Sequence, residues 1–308
     1  MGHRRVSAAY DEPVEDTEPP IEDTEPATLT LWQRLGMKTL RRKAGRRGGE
    51  PLEPEDWEVM WRLHEYGFNR AINWLFFALP RSPRCGVCGA PFEGFGRWVA
   101  GPLGYRPSRK NPTVCATCVE LAPPGGMTMP AGILFADLRG FTARFEGADP
   151  REASKVLRRF WGCAEEVLFP KAIIDKVIGD EVMALYLPQL KRDLPSGEVP
   201  AVMLEHARGL LRAVGYGSGE PPFVEVGIGL DFGEAFVGNI GQRALYDFTA
   251  VGDVVNTASR LQGQAAGGEI VLSERVASGL PEPVGTPVSL QLKGKVEPQS
   301  AYRVSLCA

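Results

Sequence analysis

The chain has 308 residues, 44% hydrophobic and 24% charged, with a net charge of −3 and a pI near 5.8. That balance is ordinary for a globular protein of about two domains and argues against non-specific nucleic-acid binding. No apolar run approaches the ~18–20 residues of a membrane span, and the N-terminus lacks the apolar core of a signal peptide. A cytoplasmic location follows as the expectation, so the six cysteines read as metal ligands or free thiols before disulfides. Gly (36) and Pro (26) make up about a fifth of the chain, which predicts many tight turns.

Residues 1–30 read as an acidic disordered tail. Asp11, Glu12, Glu15, Asp16, Glu18, Glu22, Asp23 and Glu25 crowd one short stretch with almost no aliphatic side chains. A helical segment over 31–82 follows. Its basic opening (Arg34, Lys38, Arg41, Arg42, Lys43, Arg46, Arg47) is a solvated helix face by charge pattern, with the acidic tail or an anionic surface as alternative contacts. Residues 54–79 carry Trp57, Met60, Trp61, Tyr66, Phe68 and Ile72 at roughly helical spacing. So much aromatic surface needs a partner, either the next module or a second subunit. His64 has no catalytic context.

Cys85-Gly-Val-Cys88 and Cys115-Ala-Thr-Cys118 lie 26 residues apart and bound a small module over 83–122. Two such knuckles can place four thiolates around one structural zinc, with iron as the competing metal. The segment between them is poor in aliphatics and needs a staple. Arg81, Arg84, Arg97, Arg106, Arg109 and Lys110 give the module a basic cast. Cys163 and Cys307 have no partner at ligand spacing. Residues 123–130, with Pro123-Pro124-Gly125-Gly126, read as a linker.

From 131 to 308 the pattern alternates strands and helices. Gly132–Ala136 is a buried-strand run ending on Asp137. Asp149-Pro150 opens a helix whose stripe is Ala153, Val156, Leu157, Phe160, Trp161, Ala164, Val167 and Leu168. A hairpin over Ile173–Val177 and Val182–Leu187 turns at Gly179-Asp180. A helix at Ala201–Val214, strands at Phe223–Leu230 and Phe232–Asn239, and a helix from Asp253 follow. The order fits an α+β domain: a four-stranded, ferredoxin-like antiparallel sheet with helices on one face.

Within that domain the blocks FADLRGFT (135–142), KVIGDEVMALY (176–186), GIGLDFGEAFVGNIG (227–241), YDFTAVGDVVNTASRL (246–261) and LKGK (292–295) resemble, in order and spacing, those of class III nucleotide cyclases. The resemblance implies a cyclase fold and attack of a ribose 3′-oxygen on the α-phosphorus of a nucleoside triphosphate, with pyrophosphate leaving. It implies two Mg²⁺ or Mn²⁺ ions held by Asp137, the Leu138 backbone and Asp180, as suits hard cations. Leu138, Arg139, Gly140, Phe141 and Thr142 form a loop whose backbone N–H groups face phosphate oxygens. Asn256 and Arg260, four apart on one helix face, orient the ribose and stabilise charge on the α-phosphate. Lys293 contacts the terminal phosphate.

Base choice falls to Lys176 and Thr249. Lys176 can only donate, which suits adenine N1 and mismatches the protonated guanine N1. Thr249 stands where the family more often has Asp and discriminates less. Cytosine offers the same edge as adenine, so cytidylate or guanylate cyclase activity are the alternatives to ATP. In the family the metal aspartates and the base residues come from different subunits, so the resemblance implies a head-to-tail homodimer. A non-catalytic nucleotide-sensing protein acting through the zinc module is the reading from another class. The N-terminal module is expected to set dimer geometry or to take a regulator.

Overall fold

The computed structural model describes residues 29–306, except 48–49, 51, 61–74, 77, 79–82, 109–110, 112, 170, 189–193 and 243–244. Residues 1–28 of the acidic tail, most of the aromatic stretch 54–79 (His64 included) and Cys307 therefore lie outside the described residues. The N-terminal part holds helix α1 (Leu31–Lys43), α2 (Gly94–Ala100) and α3 (Ala116–Val119). Thr30 caps α1 in a reciprocal box with Gln33. Residues 57–60 are helical after a 3-10 turn at Pro54–Asp56. Arg46 pairs with Asp56 at 3.0 Å, so one residue of the basic segment is engaged within the module.

Strand β1 runs from Gly125 to Leu138. The tract expected as a linker is thus strand from its third residue onward: Gly125 and Gly126 pair with Asn239 and Gly238. After β1 come α4 (Phe141–Phe145), α5 (Pro150–Leu168), β2 (Ile173–Ile178), β3 (Glu181–Tyr186) and α6 (Val199–Val214). Then follow β4 (Val226–Gln242), β5 (Leu245–Val251), α7 (Asp253–Gly263), β6 (Glu269–Ser273), α8 (Glu274–Ser278), β7 (Thr286–Leu290) and β8 (Gln299–Ser305). Asp149 caps α5, accepting from Arg151 N, and Gly215 in the left-handed region ends α6.

The sheet order is β2-β3-β1-β4-β6-β8-β7, with β5 on β4. Its first four strands, with α5 and α6 as crossovers, make the expected ferredoxin-like βαββαβ unit, antiparallel throughout. The expected four strands are exceeded. β6 adds parallel to β4, and β8 and β7 extend that edge. The two strands expected at 223–239 are one, because β4 bridges β1 along its whole length.

Alternation on β1 assigns the two faces. Leu134, Ala136 and Leu138 join Phe160, Ala164 and Leu168 of α5 and Met203, Ala207, Leu210 and Leu211 of α6 in one apolar layer. Each such fully buried Leu or Phe contributes about 1.5–3 kcal/mol. Ile133 and Phe135 point the other way. They share a second layer with Val254 and Ala258 of α7 and with Trp57, Phe76, Val87 and Tyr105 of the N-terminal module. Within the stretch 54–79, Trp57 and Phe76 find their partner in this sheet; Trp57 Nε1 also donates to Pro123 O at 3.0 Å.

In a flat sheet β5 and β2, four strand spacings apart, would stand about 19 Å from each other. Thr249 Oγ1 of β5 nevertheless donates to Asp175 Oδ2 of β2 at 2.7 Å. The ribbon formed by the first half of β1 and the second half of β4 therefore curls over, and the module and α7 share an apolar layer with it.

Candidate functional site

Asp137, the last residue but one of β1, lies opposite Glu181 of β3, on the face that carries Phe135. Asp180 sits in the β2–β3 turn beside Gly179, whose φ of +63° suits glycine. Burial raises the Asp137 pKa, and the charge of Asp180 raises it further, against the Arg139 guanidinium 3.5 Å away. Glu181 is raised by burial and then by the charges of Asp137 and Asp180. An anionic cluster of this kind is one that a divalent cation would stabilise. Glu181 was not singled out by sequence reasoning, although the GDE tripeptide carried the signal. The expected phosphate loop is shorter than anticipated: Leu138 is strand with its side chain in the core, Arg139–Gly140 is the turn, and Phe141 and Thr142 begin α4. Arg139 Nη2 donates to Gln262 O at 2.8 Å, tying that turn to α7.

Lys176 and Thr249 are brought together through a residue between them in space. The β2–β3 register shifts between Ile174 and Lys176, so Asp175 is an extra residue in a β-bulge. Its buried carboxylate accepts from Thr249 Oγ1 at 2.7 Å and lies 3.5 Å from Lys176 Nζ. Lys176 Nζ also reaches Asp247 Oδ2 at 3.0 Å. Burial pushes the Asp175 carboxyl up to about 6, with Lys176 the main opposing influence. The Thr249 hydroxyl proton is committed to Asp175, so its lone pairs are what it offers elsewhere. Asp175 was another residue sequence reasoning passed over.

α7 places Asn256 exposed and Arg260 half-buried. The helix can approach the sheet because β4 carries Gly229 beneath it: a Cβ there would lie 2.2 Å from Ala258 O and Gln262 N. The LKGK turn packs at the other side of Arg260, whose Nη2 is 3.4 Å from where a Gly294 Cβ would stand. Lys293 is exposed at that turn, and Lys295 anchors it to Asp253 at 2.5 Å. Arg275 bridges Asp253 to the fully buried Asp231 of β4, completing a charge chain under the start of α7.

Cys85, Cys88, Cys115 and Cys118 converge, their Sγ atoms all within 4.8 Å of one another. Cys88 Sγ lies 3.7 Å from Cys115 Sγ. A tetrahedron with Zn–S near ~2.3 Å needs sulfurs about 3.8 Å apart, so the quartet fits that ion. Val87 N, Cys88 N and Cys115 N point at Cys85 Sγ at 3.4, 3.5 and 3.2 Å, as knuckle amides do toward a thiolate. Among the described residues this is the group that gathers three or more ligand atoms. Cys163 instead lies by Ala213 O.

Residues 127–300 match the family described as the adenylate and guanylate cyclase catalytic domain. An adenylate cyclase of Anabaena cylindrica is 31% identical over 183 residues, which cover 56% of this chain and 36% of that one. The guanylyl cyclase Cya2 superposes with a TM-score of 0.52 at 28% identity, covering 59% of this chain and all of that one. The guanylate cyclase domain of RhGC from Catenaria anguillulae, in complex with GTP, shares the fold with a TM-score of 0.50 at 21% identity, over 58% of this chain and 99% of its own. The chain spans about a third or less of the curated relatives first matched. Among the described residues no helix is long and apolar enough to cross a membrane.

Proposed function

The chain belongs to the adenylate and guanylate cyclase catalytic-domain family, and from that premise we propose that it is an adenylate cyclase, converting ATP to cyclic AMP and pyrophosphate in a head-to-tail homodimer with two composite sites. The observation that carries the choice of ATP over GTP is the Asp175–Thr249 hydrogen bond. With its proton given to Asp175, Thr249 presents an acceptor, while Lys176 presents a donor. Adenine N1 accepts and its N6 donates, so both contacts are made. Guanine in the same pose sets a donor against Lys176 and a carbonyl against Thr249, leaving two groups unsatisfied. Likeness to the adenylate cyclase of Anabaena cylindrica supports this reading. Likeness to the guanylyl cyclase Cya2 favours GTP as the second reading.

Asp137 and Asp180, with the Leu138 carbonyl, would hold two Mg²⁺ or Mn²⁺ ions, and Glu181 adds negative charge beside them. Bound there, such ions would lower the pKa of the ribose 3′-hydroxyl and neutralise the triphosphate. The turn at Arg139–Gly140 and the amides of Phe141 and Thr142 face the phosphates. Asn256 orients the ribose, Arg260 stabilises charge on the α-phosphate in the transition state, and Lys293, at the turn beside Arg260, takes the terminal phosphate. A fixed guanidinium at that point contributes several kcal/mol to lowering the barrier, by analogy with other phosphoryl-transfer arginines. The cysteine quartet takes one structural zinc.

Turnover with ATP, GTP, CTP and UTP in Mn²⁺ tests the assignment. Cyclic AMP as the main product is the expected result; no cyclic product from any of the four refutes the enzyme, and a preference for another nucleotide refutes the substrate. Asp137→Ala chains mixed with Arg260→Ala chains regain part of the activity if the sites are composite. Failure at every mixing ratio removes the dimer arrangement.

A further inference from the structure

The knuckle module reaches the strand of the proposed base-reading residues through Asn111, with Thr113 beside it. Asn111, 3% exposed, stands in the turn that leads into the second knuckle. Ser108 N to Val114 O at 2.9 Å and Val114 N to Asn111 O at 3.2 Å close that turn. Its amide Nδ2 donates to both Ile174 O and Asp175 O, each at 2.9 Å. Its Oδ1 accepts from Thr113 N at 2.9 Å. Thr113 Oγ1 lies 2.6 Å from Asn111 Oδ1 and 2.9 Å from Ile174 O. The first knuckle holds the same turn, with Gly86 N donating to Thr113 O at 2.7 Å, and Gly86 packs on Ile173.

Ile174 and Asp175 are the two residues of the bulge that shifts Lys176 out of regular register. A bulge takes carbonyls out of the ladder, and buried carbonyls need donors. Asn111 supplies one amide to both. The bulge in turn sends the Asp175 carboxylate to Thr249 and brings Lys176 alongside it. We propose that Asn111 is a positioning residue for the nucleotide base: by fixing the Ile174–Asp175 bulge from the knuckle side, it sets the donor–acceptor pair of Lys176 and Thr249.

The inference rests on the cyclase reading above and deepens its base pocket. Asn111→Asp keeps the shape but puts a carboxylate oxygen where two carbonyls need a donor. Thr113→Val keeps the shape and removes one hydroxyl from Ile174 O. Both are made in the full chain and assayed with Mn²⁺-ATP and Mn²⁺-GTP, alongside zinc content and thermal melting. Asn111→Asp is expected to raise KM for ATP at least fivefold and to lower the ATP-to-GTP ratio of kcat/KM at least fivefold, with kcat within threefold. Thr113→Val is expected to move both in the same direction by about two- to threefold, and it carries the test if Asn111→Asp does not fold. A folded variant whose kcat falls equally for both nucleotides, with the ratio unchanged, overturns the positioning role, as does no change at all. A wild-type chain that turns over neither nucleotide overturns the cyclase reading, and this inference with it.

Discussion

Gly229→Ala is the sharpest structural test of how Arg260 is held. The new Cβ would stand 2.2 Å from Ala258 O, 2.2 Å from Gln262 N and 2.7 Å from Gln262 Cα, all backbone of α7. Ordinary contact begins near 3.4 Å, so the helix must lift by about 1.2 Å. Overpacking of this kind costs about 1–3 kcal/mol, and a shift of about 1 Å in a reacting group costs about a hundredfold in rate. Cyclic nucleotide production, measured well below the melting temperature, should therefore fall about a hundredfold in kcat, with a Tm lower by roughly 2–10 °C. Gly263→Ala, on the same helix with nothing within 4 Å of its Cβ, is the control and should change neither. A Gly229→Ala enzyme that keeps kcat within threefold of wild type refutes the claim that this close approach seats Arg260.

Three further outcomes are expected. Burial pulls the His206 pKa down to about 4, its ring beside the buried Tyr186 hydroxyl at 3.0 Å. The unfolded chain then binds the extra proton between about pH 6.5 and 4, so stability falls as pH drops through that window, by at most about 3 kcal/mol. His206→Gln should flatten the dependence in denaturant melts at pH 4.5 and 7, and an unchanged slope would refute this. Asp137→Asn should abolish Mn²⁺-dependent turnover yet raise Tm in chelator, because the raised pKa marks an ionised carboxyl that is unfavourable in the metal-free fold. A lowered Tm in chelator contradicts that sign. Elemental analysis should find one zinc per chain, lost with lowered Tm in Cys115→Ser; a chain that holds no metal and melts normally removes the structural zinc.

Much of the fold of the cyclase-family domain was legible because its motifs sit in contiguous blocks. The β2–β3 hairpin, the Asp149 cap and α7 lie where their residues placed them. What escaped depends on contacts between distant segments. Pro123–Gly126 has the composition of a linker, yet its glycines enter the sheet opposite Asn239 and Gly238, where a Cβ on Gly126 would meet Val237 O at 2.3 Å. Asp175 looks like one more acid beside a lysine until the bulge and the curl of the sheet bring Thr249 to it. Asn111 reads as a loop residue before Pro112, and nothing local reports that it serves two carbonyls more than sixty positions away. Glu181 belonged to a recognised block but gains meaning only opposite Asp137.

The direct passage from knuckle module into β1 bears on how this chain can be divided. Trp57, Phe76 and Val87 share one apolar layer with Met129, Ile133, Phe135 and Phe248, and Asn239 of β4 donates to Val119 O and Ala122 O of the module at 2.8 and 3.0 Å. A cut near residue 128 would sever a strand and bare that layer to water, so the cyclase portion is not a detachable cassette. Heat or denaturant should melt both parts in a single cooperative transition. A chimera that grafts a different module here would have to bring its own apolar lid, and recombination points belong upstream of Trp57.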